Sequence, residues 1–121
     1  MGIKEFTKLI SPEGEDRLRV KIKIEKGKVI DLVVQYDARV GGKWREVVRY
    51  DCAHGYFHRD IMHPNGEKTK YHIPITNLNN ALLYAEQDIK DRWRWYKERF
   101  KKEILESGIW KINLLCYGVL F

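Results

Sequence analysis

Three of the four histidines in this 121-residue chain fall within ten residues, at His54, His58 and His63. The surrounding stretch, Arg49–His63, also contains two arginines, two aspartates and two tyrosines. Imidazole is the side chain whose ordinary pKa allows proton transfer near neutral pH, and it is also a common metal ligand. A stretch this rich in groups that move protons, bind phosphate or bind metal ions is a candidate functional site.

The first chemistry open to this stretch is acid–base cleavage of RNA. His54 and His58 would act as general base and general acid on opposite sides of the phosphate. Arg49 or Arg59 would stabilise the negative charge of the transition state. Asp51 would orient one imidazole in the required tautomer. The predicted catalytic residues are therefore His54, His58, Arg49 and Asp51.

Two other interpretations of the same residues stay open. In the first, His54, His58, Asp60 and His63 bind a divalent transition metal, although their spacing matches no strong zinc signature. In the second, the histidines are structural and hydrogen-bond to Asp51 and Asp60 within a sheet. Neither RNA cleavage by the histidines nor the structural interpretation requires a cofactor, and we predict none.

The two cysteines, Cys52 and Cys116, form no CxxC motif. Cys52 lies two residues from His54, which would allow a thiolate–imidazole pair. It also continues the apolar strand face of Val48 and Tyr50, so we predict a packed thiol. The chain shows no secretory signal and no apolar stretch long enough to cross a bilayer as a helix. These features predict a cytoplasmic protein with reduced cysteines and no membrane association.

The strands that would position these residues are indicated by alternating apolar and polar side chains. Residues 17–25 alternate strictly, with apolar side chains on one face and mainly cations on the other. Further strands are predicted at residues 30–37 and 44–54. A hairpin is predicted over residues 56–73, because Asn-Gly within His63–Gly66 supplies the positive φ angles of a tight turn.

After Pro74 the apolar spacing changes to three and four residues, which is typical of a helix. Thr76 is the predicted cap and Ser107–Gly108 the predicted end. The apolar stripe comprises Leu78, Leu82, Ala85, Ile89, Trp93, Tyr96, Phe100 and Ile104. The predicted fold is one α+β domain over residues 1–121. An antiparallel sheet of four or five strands packs against one long helix in the C-terminal half.

The alternation also predicts a cationic sheet face. If Val48 and Tyr50 point into the core, then Arg49 and Asp51 project from the opposite face and can form an ion pair. Such a face could bind RNA, because each Lys or Arg contact to a phosphate displaces a counterion. The predicted nucleic-acid-binding residues are Arg17, Arg19, Lys21, Lys23 and Arg59.

The positive net charge is consistent with an acidic partner such as nucleic acid, but it is also consistent with a solvated thermophile protein surface. The formal net charge is +6 and the isoelectric point is near 9.3. Lys and Glu are plentiful, whereas Gln occurs only at Gln35 and Gln87, a bias typical of thermophile surfaces. Residues 90–102 carry seven cations and two acids around a Trp95 that we predict to be exposed. We interpret this segment as a solvated helix face.

Several of these segments resemble the TumE-type toxins of prokaryotic toxin–antitoxin modules and their uncharacterised relatives. The shared features are the Arg-Tyr-Asp-x-Ala-His-Gly pattern at Arg49–Gly55, the following His58, Val33–Tyr36 and the Gly42–Trp44 turn. They lie within about residues 17–72. The resemblance implies a small cytoplasmic sheet-plus-helix protein that acts as a toxin and is neutralised by a cognate antitoxin protein.

We therefore expect a toxin-like protein that cleaves or binds RNA through the cluster at Arg49–His63. The alternative is a non-catalytic protein-interaction module that uses the basic face and the apolar segment Ile109–Phe121. Exposing that segment would create an apolar patch that soluble monomers avoid. It is expected to add a strand at a sheet edge covered by a second subunit in a homodimer, or else to fill the protomer's own core.

Overall fold

The computed structural model describes residues 2–107, apart from the side chain of His54. Six strands are followed by one helix, which confirms the predicted α+β class. The elements are β1 (Gly2–Leu9), β2 (Asp16–Glu25), β3 (Lys28–Val40), β4 (Lys43–Asp51), β5 (His58–Met62), β6 (Lys68–His72) and α1 (Leu78–Glu106). The predicted C-terminal strand at 109–121 lies outside the described residues.

The six strands form a single antiparallel sheet in chain order from β1 to β6. This is more than the four or five strands expected, because β1 was not recognised in the sequence. Its apolar residues Ile3, Phe6 and Leu9 recur every third residue instead of alternating, and all eight residues of β1 are exposed. Between β4 and β5 the chain bends through a short 3₁₀ turn, where Gly55 has a φ of 83°.

One face of the sheet packs against α1 and forms the core. The buried helix residues are Ala81, Ala85, Ile89, Trp93, Tyr96, Phe100 and Ile104, which closely match the predicted stripe. They pack with buried strand residues that include Leu18, Val20, Leu32, Val34, Tyr36, Val48 and Tyr50. The helix cap is Asn77, one residue after the predicted Thr76, and its side chain accepts a hydrogen bond from the Asn80 amide at 3.1 Å.

Buried carboxylates also join the helix to the sheet. Asp88 of α1 accepts hydrogen bonds from the hydroxyls of Tyr50 and Tyr96. Farther along the helix–sheet interface, Asp16 of β2 accepts a hydrogen bond of 3.1 Å from Lys97 Nζ of α1. Burial, followed by the bond to Asp88, raises the pKa of Tyr96 to about 12, so this hydroxyl keeps its proton at neutral pH.

We predict that Asp88→Ala lowers the free energy of unfolding by about 2–4 kcal/mol, because two largely buried tyrosine hydroxyls lose their acceptor. Urea unfolding followed by circular dichroism measures this change. The matched control is Asp91→Ala, an exposed position of the same helix that accepts a hydrogen bond from Gln87. This control should cost less than about 1 kcal/mol. Equal losses in the two variants would contradict the assigned role of Asp88.

Candidate functional site

The sheet face opposite α1, called the open face, carries a row of polar side chains. Residues directly opposite one another on antiparallel strands share a face. Arg19 lies opposite Gln35, Gln35 opposite Arg49, and Arg49 opposite Asp60. By the same register, the open face includes Arg17, Arg19, Lys21, Lys23, Gln35, Asp37, Arg49, Asp51, His58, Asp60 and His72.

The first half of this row is organised around Asp37, which is 1% exposed. Arg17 Nε donates a hydrogen bond to Asp37 Oδ2 at 2.8 Å, and Arg19 Nε lies 2.7 Å from the same oxygen. Gln35 Nε2 donates to Asp37 Oδ1 at 2.7 Å, while Gln35 Oε1 accepts from Arg49 Nη1 at 3.3 Å. These contacts compensate the burial of the carboxylate, which would be unfavourable if Asp37 were unpaired.

The second half of the row begins at Arg49, whose Nε donates to Asp51 Oδ2 at 2.9 Å. This confirms the ion pair predicted from the sequence. Asp51 Oδ1 accepts from the Ala53 amide at 3.1 Å and lies 2.8 Å from His58 Nε2. Asp60 Oδ2 lies 3.5 Å from the same nitrogen. Arg49, Asp51, His58 and Asp60 thus form one connected cluster of charged groups across β4 and β5.

Two opposing effects act on the pKa of Asp51. Burial alone would raise it, because the charged carboxylate loses solvation. The hydrogen bonds from Arg49 and from the Ala53 amide, together with the nearby His58, outweigh burial and hold the pKa below its ordinary value. Asp51 is therefore a carboxylate at neutral pH.

His58 is almost completely buried in this cluster, at 1% exposed. Its Nδ1 lies 3.3 Å from the carbonyl oxygen of Tyr56, and its Nε2 faces Asp51 and Asp60. The Tyr56 ring packs 5.4 Å from the His58 ring and 4.9 Å from the His72 ring, between centroids. Because of this burial, His58 cannot contact a ligand unless its neighbours shift.

The structure brings together three of the four predicted catalytic residues, Arg49, Asp51 and His58. The side chain of the fourth, His54, lies outside the described part of the chain. Arg59 does not join the other predicted nucleic-acid-binding residues, because alternation along β5 turns it towards α1. There its Nη1 donates to the Tyr50 hydroxyl at 3.3 Å.

The predicted metal ligands do not all lie together, because His63 is apart from His58 and Asp60. His63 lies just beyond β5, where Nδ1 is 3.1 Å from a Glu103 carboxylate oxygen and Nε2 is 2.7 Å from the Thr69 hydroxyl. His58 and Asp60 are adjacent, and Asp51 completes a group of three potential ligands with them.

Three residues of the open face, Gln35, Asp37 and His72, were not among the predicted site residues. The predicted hairpin contained the signal for His72, because a turn centred near Asn65 pairs His58 with His72. The alternation of β3 likewise places Gln35 and Asp37 on the face opposite the core. The spacing does not predict that neighbouring side chains bury Gln35 and Asp37.

Cys52 is half-buried against the core, as predicted. Its Sγ lies 3.0 Å from Asp31 Oδ1. Burial and this contact raise the pKa of the thiol to about 11. Cys52 is therefore protonated at neutral pH, and the geometry does not favour a thiolate nucleophile.

A groove of about 550 Å³ opens beside the cluster, on the side of β1 and β2. Arg19, Lys21 and Arg49 supply the cations of its lining, and Glu5 and Thr7 lie on its β1 side. The groove therefore combines three cations with one acid, an arrangement suited to an anionic ligand.

Comparison with protein families matches residues 1–106 to a family model described as a domain of unknown function (DUF7718). Neither curated proteins nor solved structures give a match. Within residues 2–107, no helix has both the length and the apolar character needed to span a membrane. The resemblance to TumE-type toxins stays a prediction.

We predict that Asp51→Asn lowers the free energy of unfolding at pH 7 by about 1–3 kcal/mol, because Arg49 and His58 lose an ionised partner. Because the folded-state pKa is lowered, the carboxylate stabilises the fold fully at pH values above its unfolded-state pKa of about 4. This contribution is lost as the pH falls through the folded-state pKa. The difference between wild type and variant should therefore shrink between pH 7 and pH 3.

Urea unfolding at a series of pH values measures this difference. Glu46→Gln, at an exposed position of the same strand, is the control and should change stability by less than about 0.5 kcal/mol. A difference between wild type and Asp51→Asn that stays constant down to pH 3 would contradict the assigned ionisation of Asp51.

Proposed function

This chain belongs to the DUF7718 family, a domain of unknown function, and we propose that it binds single-stranded RNA on the open face of its sheet. The observation that carries the proposal is the groove lined by Arg19, Lys21 and Arg49. Lys and Arg contacts with phosphates dominate the affinity of most nucleic-acid-binding surfaces. The groove lies beside a network that holds two of these cations in place.

The buried acids of the network support this proposal rather than oppose it. Asp37 and Asp51 are 1% and 8% exposed, whereas the side chains of Arg19 and Arg49 are 44% and 35% exposed. An incoming ligand therefore meets these two arginines before it meets Asp37 and Asp51. Arg19 uses Nε, and Arg49 uses Nε and Nη1, in the contacts described above. Because a guanidinium has five N–H donors, both arginines have others left for phosphate oxygens.

The two lysines of the open face, Lys21 and Lys23, make no close ion pair with another residue of the described range 2–107, although each has an acid opposite it. These acids are Glu5 of β1 for Lys21 and Asp31 of β3 for Lys23. Lys21 lines the groove directly, and Lys23 follows it on the same face of β2. These two side chains can contact phosphates without first breaking an ion pair, so they are the best positions at which to test binding.

Aromatic side chains at both ends of the row favour a single strand over a duplex. Tyr56 and His72 are exposed and in contact at one end. At the other end, the guanidinium of Arg17 lies 4.1 Å from the ring centroid of Trp44. Unpaired bases can stack on such groups, which contributes about 1–3 kcal/mol for each base, whereas the bases of a duplex are already stacked.

We propose binding rather than cleavage for the described residues. General acid–base catalysis requires an imidazole within hydrogen-bonding distance of the substrate, and His58 is enclosed by Tyr56, Asp51 and Asp60. Cleavage, a toxin role and an antitoxin partner stay predictions.

A protein-interaction module is the competing proposal, and the outer surface of α1 favours it. Leu83, Trp95 and Leu105 are 68%, 53% and 52% exposed on this helix. Exposed apolar residues of this size are common at protein interfaces. The predicted homodimer would be one form of such an interaction.

We predict that the double substitution Lys21→Gln and Lys23→Gln weakens binding of a labelled single-stranded RNA about tenfold at 0.1 M salt. Losing two phosphate contacts should also reduce the slope of log affinity against log salt by about 1.4. Fluorescence anisotropy across a salt series measures both quantities. DNA of the same sequence and an RNA duplex provide the comparison ligands.

The matched control is Lys101→Gln with Lys102→Gln, which removes the same charge from exposed positions of α1. This control should bind RNA nearly as tightly as wild type. Equal weakening in the two double variants would indicate a non-specific charge effect and contradict the proposal. Absence of RNA binding by wild type would favour the protein-interaction module. Gel analysis of the same mixtures detects cleavage directly.

A further inference from the structure

We propose that Asp51, His58 and Asp60 form a binding site for a divalent transition metal ion, independently of whether the open face binds RNA. One potential ligand atom from each residue lies within 4.8 Å of the other two. His58 Nε2 lies 2.8 Å from Asp51 Oδ1 and 3.5 Å from Asp60 Oδ2. Two ligands bound to a tetrahedral zinc ion at about 2.0–2.1 Å are about 3.4 Å apart, so small side-chain shifts would suffice.

The orientation of His58 supports a metal ligand. Its Nδ1 lies 3.3 Å from the carbonyl oxygen of Tyr56, which can accept a hydrogen bond from Nδ1–H. In this tautomer the Nε2 lone pair is directed at the oxygens of Asp51 and Asp60. Lone pairs and carboxylates repel one another unless a cation lies between them. A backbone carbonyl that fixes the other ring nitrogen is the usual support for a metal-binding histidine.

Asp60 provides a second, independent observation. The residue is 1% exposed, yet its Oδ1 is buried and has no hydrogen-bond partner among residues 2–107. The nearest cation to its Oδ2 is Lys68 Nζ at 3.8 Å, on a side chain that is 55% exposed. An incompletely paired buried carboxylate is costly, and a metal ion would offset that cost.

A proton on His58 Nε2 is the competing occupant of this position. An Nε2–H, whether the ring is neutral or cationic, would donate to Asp51, but it would not supply a partner for Asp60 Oδ1. A divalent ion can accept both oxygens of a carboxylate, so it accounts for this atom as well. Arg49 Nε donates a hydrogen bond to Asp51 Oδ2 at 2.9 Å, which would keep the Asp51 carboxylate oriented towards the metal ion.

The ligand set limits the class of metal ion. One imidazole nitrogen and two carboxylates suit Zn²⁺, Co²⁺ or Mn²⁺, whereas Ca²⁺ and Mg²⁺ prefer oxygen ligands alone and Cu⁺ prefers sulfur. Three protein ligands leave at least one coordination position for water or another oxygen ligand. The partly accessible edge of Asp51, 11% exposed as a side chain, offers an entry route from the open face.

Titration of the full-length protein with Co²⁺, followed by visible absorption, tests the site without nucleic acid. We expect wild type to bind one Co²⁺ per chain, Zn²⁺ to displace it, and Zn²⁺ to raise the melting temperature. Asp60→Asn and His58→Gln should each weaken binding at least tenfold. His63→Gln is the matched control, because His63 also faces a carboxylate, that of Glu103, and this variant should bind like wild type.

A measurement on wild type covers the case in which a variant fails to fold. Substoichiometric Mn²⁺ should broaden the amide resonances around residues 51, 58 and 60 before those near His63. The proposal is overturned if wild type shows no saturable metal binding, or if the broadening centres on another region. Folded Asp60→Asn and His58→Gln variants that bind like wild type would also overturn it. None of these outcomes depends on RNA binding, so the two proposals can fail separately.

Discussion

Three aspartates buried on the face of the sheet that has no helix constrain the residues around them. Asp37, Asp51 and Asp60 each need compensation, because an unpaired buried carboxylate costs several kcal/mol. Compensation comes mainly from groups on the same or neighbouring strands, including Arg19 and Arg49. A register slip of one residue would turn these charges into the core. The network therefore favours one strand alignment and holds the arginines in fixed positions.

The same alternation that builds the core builds this polar face. Val48 and Tyr50 point towards α1, while Arg49 and Asp51 point away, so one strand serves both stability and the candidate site. On the helix side, Asp88 satisfies tyrosine hydroxyls and is enclosed by the core. On the open face, Asp37, Asp51 and Asp60 lie beneath cations that solvent can reach. Because these aspartates are buried and the cations are accessible, the open face presents positive charge to a ligand although it contains several aspartates.

Much of this could be predicted from the sequence, because period-two and helical spacing report directly on which face a side chain occupies. The helix stripe and the Arg49–Asp51 pair follow from spacing alone. How deeply a side chain is buried within its face cannot be predicted from spacing. His58 is buried because Tyr56 and its carboxylate partners close around it, and such enclosure depends on contacts between strands. Strand β1 was not predicted because neither of its faces is buried, so its sequence shows no alternation of apolar and polar residues.

Chemical-shift mapping with isotope-labelled full-length protein and a short single-stranded RNA tests most directly whether the open face is the functional surface. Saturable shifts should concentrate on β2, β3 and β4 near Arg19, Lys21 and Arg49, and an RNA duplex should produce weaker ones. Shifts confined to the outer surface of α1 around Trp95, or no shifts at any RNA concentration, would contradict this assignment.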